Sequence, residues 1–104
     1  MTTTALSPAI SPPPGTDFAC PWEGTPPHRT VFGVDRTITD SDARVYAAAI
    51  QLADGTVDDG TIEPPCLYVC DGERDGIHLN SDQARELAAA LLQTAKEVDG
   101  WANR

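Results

Sequence analysis

The stretch SDARVYAAAIQLADG, residues 41–55, carries two competing patterns. Its ends look like helix caps, with Asp40 or Ser41 at the start and Gly55 at the stop, and its alanines favour helix. Against that, Tyr46, Ala48, Ile50 and Leu52 alternate with Val45, Ala47, Ala49 and Gln51. That is the period-two pattern of a strand with one face bulkier than the other. The strand is the preferred reading. On it, Tyr46, Ile50 and Leu52 turn towards a covering helix, and Val45, Ala47 and Ala49 occupy the opposite, open face. A helix here would leave the fold class intact but shrink the sheet.

The covering helix is written in LNSDQARELAAALLQTAKEVDGW, residues 79–101. Ala84, Leu87, Ala88, Leu91, Ala95 and Val98 recur at spacings of three and four, an apolar stripe of helical period. Asn80 or Ser81 can cap the first turn, and with Asn80 as the cap Gln83 completes a capping box. Asp82 suits the positive end of the helix dipole. Gly100 is suited to end the helix, with Trp101 folding back on the last turn. These signals predict a helix over 81–99. Upstream, RTVFGVDRTI alternates as a strand with Val31 and Phe32 facing opposite ways. PPCLYVC reads as a buried strand over 66–70, between Pro64-Pro65 and the turn Asp71-Gly72. GIHL, residues 76–79, reads as a short returning strand, and ADGTVDDGTIEPP as turns around another. The expected fold is α+β: a small twisted antiparallel sheet of three to five strands with one C-terminal helix packed on one face.

Seven of the nine prolines fall in the first 28 residues, among threonines and serines and few large apolar groups. Such a segment cannot offset the entropy of its own ordering. The chain therefore divides into a disordered Pro/Thr-rich leader, 1–28, and a single small domain, 29–104. The leader lacks the basic start and apolar run of a signal peptide, and no segment approaches a membrane span, so a cytoplasmic protein is expected.

Sixteen acids against seven bases give a formal charge of −9. Asp54, Asp58, Asp59, Glu63, Asp71, Glu73 and Asp75 crowd one segment, opposed there by Arg74 alone. Such a surface repels nucleic acid and anionic membranes, which excludes direct phosphate binding. It fits either a solvated face or a mimic of nucleic-acid charge.

CPWEGTPPH, residues 20–28, puts a thiol, a carboxylate and an imidazole within nine residues at the seam between leader and domain. Cys20, Glu23 and His28 are chemically suitable zinc ligands, and Cys66, Cys70 and His78 could supply more. Cys66 and Cys70 have ligand-like spacing. On a strand, however, they sit roughly 13 Å apart at about 3.3 Å per residue. That is too far for one ion at about 2.3 Å from each sulfur, or for a disulfide, which needs Cα atoms within about 7 Å. The expectation is no metal and reduced, core-like thiols, with a site built from Cys20, His28 and one or both of Cys66 and Cys70 as the alternative. DGTVDDGTIE fails the EF-hand register, with Thr56 at the third position and Asp59 at the sixth. No nucleophile elbow, phosphate loop or dinucleotide fingerprint surrounds His28 or His78, so no enzyme and no cofactor are expected. Trp101 is expected to pack at the helix end. Trp22 is free to dock on the sheet or on a partner.

The segments IQLADGTVDDG, PPCLYV and LNSDQARELAAALLQTAKEVDGW resemble a group of small, uncharacterised actinobacterial and actinophage proteins. The resemblance covers roughly residues 45–101. It implies a short sheet closed by one helix that opens with a Q-A-R-x-L-A pattern, here Gln83 to Ala88. Some of that group carry a cysteine-tryptophan-cysteine-histidine type leader, and here Glu23 stands where its second cysteine would be. The group brings no activity to transfer.

Three functions follow as expectations. The first is a non-enzymatic acidic module that binds a protein partner or a second copy of itself, through an open sheet face bearing Val45, Ala47 and Ala49, or through Trp22. The second is a zinc-stapled module, and the third an acidic decoy for a DNA-binding protein.

Overall fold

The computed structural model of the chain describes residues 9–72 and 76–104. Five strands and one helix follow in order: β1 (Phe18–Ala19), β2 (His28–Phe32), β3 (Arg36–Thr37), β4 (Arg44–Leu52), β5 (Cys66–Cys70) and α1 (Ser81–Ala102). All pairings are antiparallel, and the fold is α+β as expected. Residues 41–55 form neither a helix nor a turn-rich loop. They supply β4, the longest strand and the centre of the sheet.

β2 and β3 both pair with β4, but in registers one residue apart: Phe32 lies opposite Ala48, whereas Arg36 lies opposite Val45. The two are pieces of one strand interrupted by a bulge at Gly33–Asp35, which reverses the facing of all that follows. Val31 before the bulge and Ile38 after it are therefore both buried on the helix side, at 0% and 2% exposure. β5 covers the other edge of β4, pairing Cys66 with Ala48 and Cys70 with Arg44.

The helix sits on Val31, Val45, Ala47 and Ala49. This inverts the expected parity: the small residues of β4 are the covered ones, and Tyr46 and Leu52 are only partly buried on the other side. The physical reason is volume. The helix brings its own bulk in Trp101, Leu87 and Leu91, and alanines beneath it let the two layers close to packing distance. Its start is fixed by a complete capping box, Asn80 Oδ1 accepting from Gln83 N at 2.8 Å and Gln83 Oε1 from Asn80 N at 3.0 Å. Its end lies beyond the expected stop. Gly100 remains helical because Trp101, buried to 2% exposure, anchors the turn after it.

The expected leader is also revised where it is described. Residues 10–27 are part of the fold: Arg29 donates to the Ile10 carbonyl (2.9 Å), Gln51 to that of Ser11 (2.9 Å), and Trp101 Nε1 to that of Pro14 (2.9 Å). β1 then adds to β2 through Phe18–Phe32 and Ala19–Val31. Composition misses this, because the partners lie 19 to 87 residues away along the chain. Residues 1–8 of that leader, and Glu73, Arg74 and Asp75 of the acidic segment, lie outside the described residues. GIHL is an extended connection rather than a strand. Of the turn segment 53–65, Val57 alone bridges to β4, at Gln51.

Candidate functional site

With the helix on one face, the other face of the sheet is open, and its chemistry is aromatic. Phe18 on β1, Phe32 on β2, Tyr46 on β4 and Tyr68 on β5 lie on it, which accounts for every phenylalanine and tyrosine in the chain. The register assembles them into a row. Phe18 is directly across from Phe32, and Tyr46 directly across from Tyr68. Phe32 meets Tyr46 edge to face at 5.8 Å, and Tyr46 stacks on Tyr68 at 5.5 Å. Both are preferred aromatic geometries. The row ends exposed, Phe18 at 58% and Tyr68 at 42%.

Two recesses flank the row. The first, about 300 Å³, is lined by Thr30, Phe32, Tyr46, Ile50, Tyr68 and Glu63, among others. Glu63 is its one charged wall. Its carboxylate accepts the Tyr68 hydroxyl at 3.3 Å and lies 3.9 Å from Cys66 Sγ. Its backbone is held by Asp58, a buried residue whose Oδ2 accepts from Ile62 N at 2.7 Å and from Glu63 N at 2.8 Å. Those bonds, the one from Glu63 foremost, hold the Asp58 carboxyl below its usual range. The sequence Asp-Asp-Gly-Thr-Ile-Glu thus folds as a loop around one carboxylate, which sets Glu63 at the rim of the sheet.

The second recess, about 260 Å³, lies between Phe18, Phe32 and Tyr46, with Asp17 and Asp35 at its edge. Arg44 stands in it. Its guanidinium is 5.5 Å from the Tyr46 ring centre and 3.1 Å from Asp35 Oδ2. The phenols are neutral hydrogen-bonding groups at neutral pH. The Cys70 thiol, 3.7 Å from the Tyr46 hydroxyl, raises the Tyr46 pKa, with burial adding to it. The Cys66 sulfur, once ionised, and then the Glu63 carboxylate raise that of Tyr68. Burial pushes the Cys66 thiol pKa up, and the neighbouring Glu63 carboxylate adds to it.

The residues singled out from sequence fall elsewhere. Val45, Ala47 and Ala49 are at 0%, 0% and 4% exposure beneath the helix and offer no surface. Trp22 is half-buried under Arg29, whose guanidinium lies 4.3 Å from its ring centre. CPWEGTPPH is the turn between β1 and β2: Glu23 and His28 exchange two backbone hydrogen bonds of 2.8 Å. The His28 ring folds over Gly24, where a Cβ would lie 2.5 Å from its Cε1. Cys20 adjoins β2 through a bond to the Thr30 carbonyl, with β2 and β4 between it and β5. Cys66 and Cys70 occupy opposite ends of β5. Among the described residues no three histidine, cysteine or acidic side chains group as a metal site, and no helix is long and apolar enough to cross a membrane.

The aromatic row was the feature that sequence reasoning missed. Its signal is that Phe32, Tyr46 and Tyr68 sit on three strand segments, which register alone brings together. No protein-family model matches the chain, and no curated protein or solved structure is significantly similar to it.

Proposed function

We propose that the protein is a non-enzymatic, acidic protein-binding module whose contact surface is the open face of the sheet, centred on Phe18, Phe32, Tyr46 and Tyr68. On the motifs quoted above we place it with small actinobacterial and actinophage proteins, and in the cytoplasm. The observation that carries the functional reading is the distribution of aromatic side chains. The helix-covered core uses one large ring, Trp101, while all four phenylalanines and tyrosines lie on the uncovered side. A contiguous exposed apolar patch with a polar rim is the ordinary mark of an interaction surface, and tyrosine is enriched at the centres of such contacts.

Zinc stapling needs cysteines that converge, and β2 and β4 lie between Cys20 and the β5 pair. The test compares the intact protein with Phe18→Ser/Tyr68→Ser in a pull-down with quantitative mass spectrometry, alongside native mass spectrometry of each. A partner retained by the intact protein and lost from the double variant supports the reading, as does a dimer dissociated by it. Retention unchanged by the double substitution refutes it.

A further inference from the structure

We infer that the recess between Tyr46, Tyr68 and Glu63 receives a cationic side chain, arginine or lysine, from a basic segment of the partner; this rests on the open face being the contact surface. The molecule itself supplies the precedent for the geometry. On one side of the Tyr46 ring the chain's own Arg44 stands 5.5 Å from the ring centre, ion-paired with Asp35. The neighbouring recess, which Tyr46 also lines while its ring stacks on Tyr68, repeats two of those three components, an aromatic wall of Phe32, Tyr46 and Tyr68 and a carboxylate at its rim. The third component, the cation, is missing there: Glu63 has no basic partner among the described residues, its contacts being Tyr68 and Cys66.

An arginine or lysine entering the recess lies against ring surface while its charge meets Glu63, combining a cation–π contact with a charge-assisted hydrogen bond. The Tyr68 hydroxyl, donating to Glu63, orients the carboxylate for it. Asp58 restrains the loop, so that little ordering remains to be done on binding. Charge complementarity acts at longer range too. A chain of net charge −9 attracts a basic segment and repels an acidic one. Glu63 is the one charged residue lining the recess, so the selectivity of the pocket for a cation rests on that group.

The test is a titration of the full-length, isotope-labelled protein at low salt, followed by amide and aromatic-ring NMR. The probes are a blocked heptapeptide of glycine and serine carrying three arginines, and the same peptide with glutamines in their place. The expected result is that the arginine peptide shifts the Tyr46 and Tyr68 ring signals and the Thr30 and Glu63 amides, while the glutamine peptide does not. Glu63→Gln should weaken binding by about fivefold to tenfold, and Asp99→Asn, on the distant helix end, should leave it unchanged. Equal affinity for the intact protein and Glu63→Gln overturns the inference. So does a response confined to acidic residues away from the rings. If the glutamine peptide moves the same ring signals equally well, the cation pocket is wrong while the face remains a contact surface. If neither peptide reaches the rings, the cation pocket is overturned, and the comparison with Phe18→Ser/Tyr68→Ser decides the face.

Discussion

Replacing Trp101 with alanine tests the organisation of the whole molecule, because that one side chain joins the helix, the sheet and the N-terminal segment. It is 2% exposed and packs with Val31, Ala47, Ala49 and Val57, none of them large enough to refill its volume. A buried tryptophan cut to alanine costs about 3–5 kcal/mol, towards the upper end where the surroundings cannot collapse. The Nε1 hydrogen bond to the Pro14 carbonyl goes with it, a net of about 0.5–1.5 kcal/mol. A chain of 104 residues has a total stability of about 5–15 kcal/mol, so the variant should lose about a quarter of it or more. Urea unfolding followed by far-ultraviolet circular dichroism measures this without relying on the fluorophore that has been removed. Trp101→Phe separates the two contributions. It keeps most of the packing and loses the hydrogen bond, with an expected cost of about 1–2 kcal/mol. In Trp101→Phe the amide of Asp17, bonded to the Phe32 carbonyl, should exchange faster as the segment before β1 loosens. A Trp101→Ala unfolding free energy within about 1 kcal/mol of the parent at unchanged slope would refute the central place given to this residue.

Four further outcomes follow from the same structure. Gly33→Ala should cost about 1 kcal/mol or less in urea unfolding, since the Cβ meets only the far end of the flexible Glu97 side chain, which must swing aside and give up its 3.6 Å pairing with Arg36. Gln51→Leu should cost about 1–3 kcal/mol by the same assay, because Gln51, 1% exposed, accepts from Arg29 and donates to the Ser11 carbonyl. The folded-state pKa of Asp58 is depressed, so its contribution is complete above the unfolded value, about 3.9, and is lost as pH falls through the lower folded value. Unfolding midpoints from pH 5 to pH 2 should therefore fall more steeply for the parent than for Asp58→Asn. Tyr68→Ala, at an exposed edge position, should change stability by less than about 1 kcal/mol while abolishing the ring-signal response to the arginine peptide.

The strand at 44–52 and the capping box at Asn80 were legible because each rests on local chemistry: alternation in the first case, and two side chains three residues apart in the second. Which face of β4 the helix takes was not legible. Alternation shows that two faces exist, and the rule that the bulkier one is buried fails when the covering helix carries the bulk itself. The bulge after Phe32 hides in the same way. Gly33 hints at it, but the one-residue offset that turns Ile38 inwards is fixed by pairing with β4. The helix runs past Gly100 because burial of Trp101 outweighs the modest cost of a helical glycine, about 1 kcal/mol. Proline content suggests an unfolded leader, but the carbonyls of Ile10, Ser11 and Pro14 find donors on β2, β4 and α1, and no local composition encodes those partners.

The open face and the net charge together bear on what the face can meet. A symmetric dimer through the aromatic row would set the same patch of two copies face to face, bringing Asp17, Asp35 and Glu63 of one towards those of the other. Arg44 can answer only part of that charge, being already paired with Asp35. Two chains of charge −9 also repel before contact. Burial of the rings favours either association, but electrostatics enters the two with opposite signs. Added salt screens the repulsion in a self-complex and so strengthens it, whereas it screens the attraction to a basic partner and weakens that complex. The aromatic row supplies affinity in both cases, and the acids around it select between them. On the proposed reading, the carboxylates beside the exposed rings, Glu63 above all, disfavour a self-complex and favour a positively charged partner.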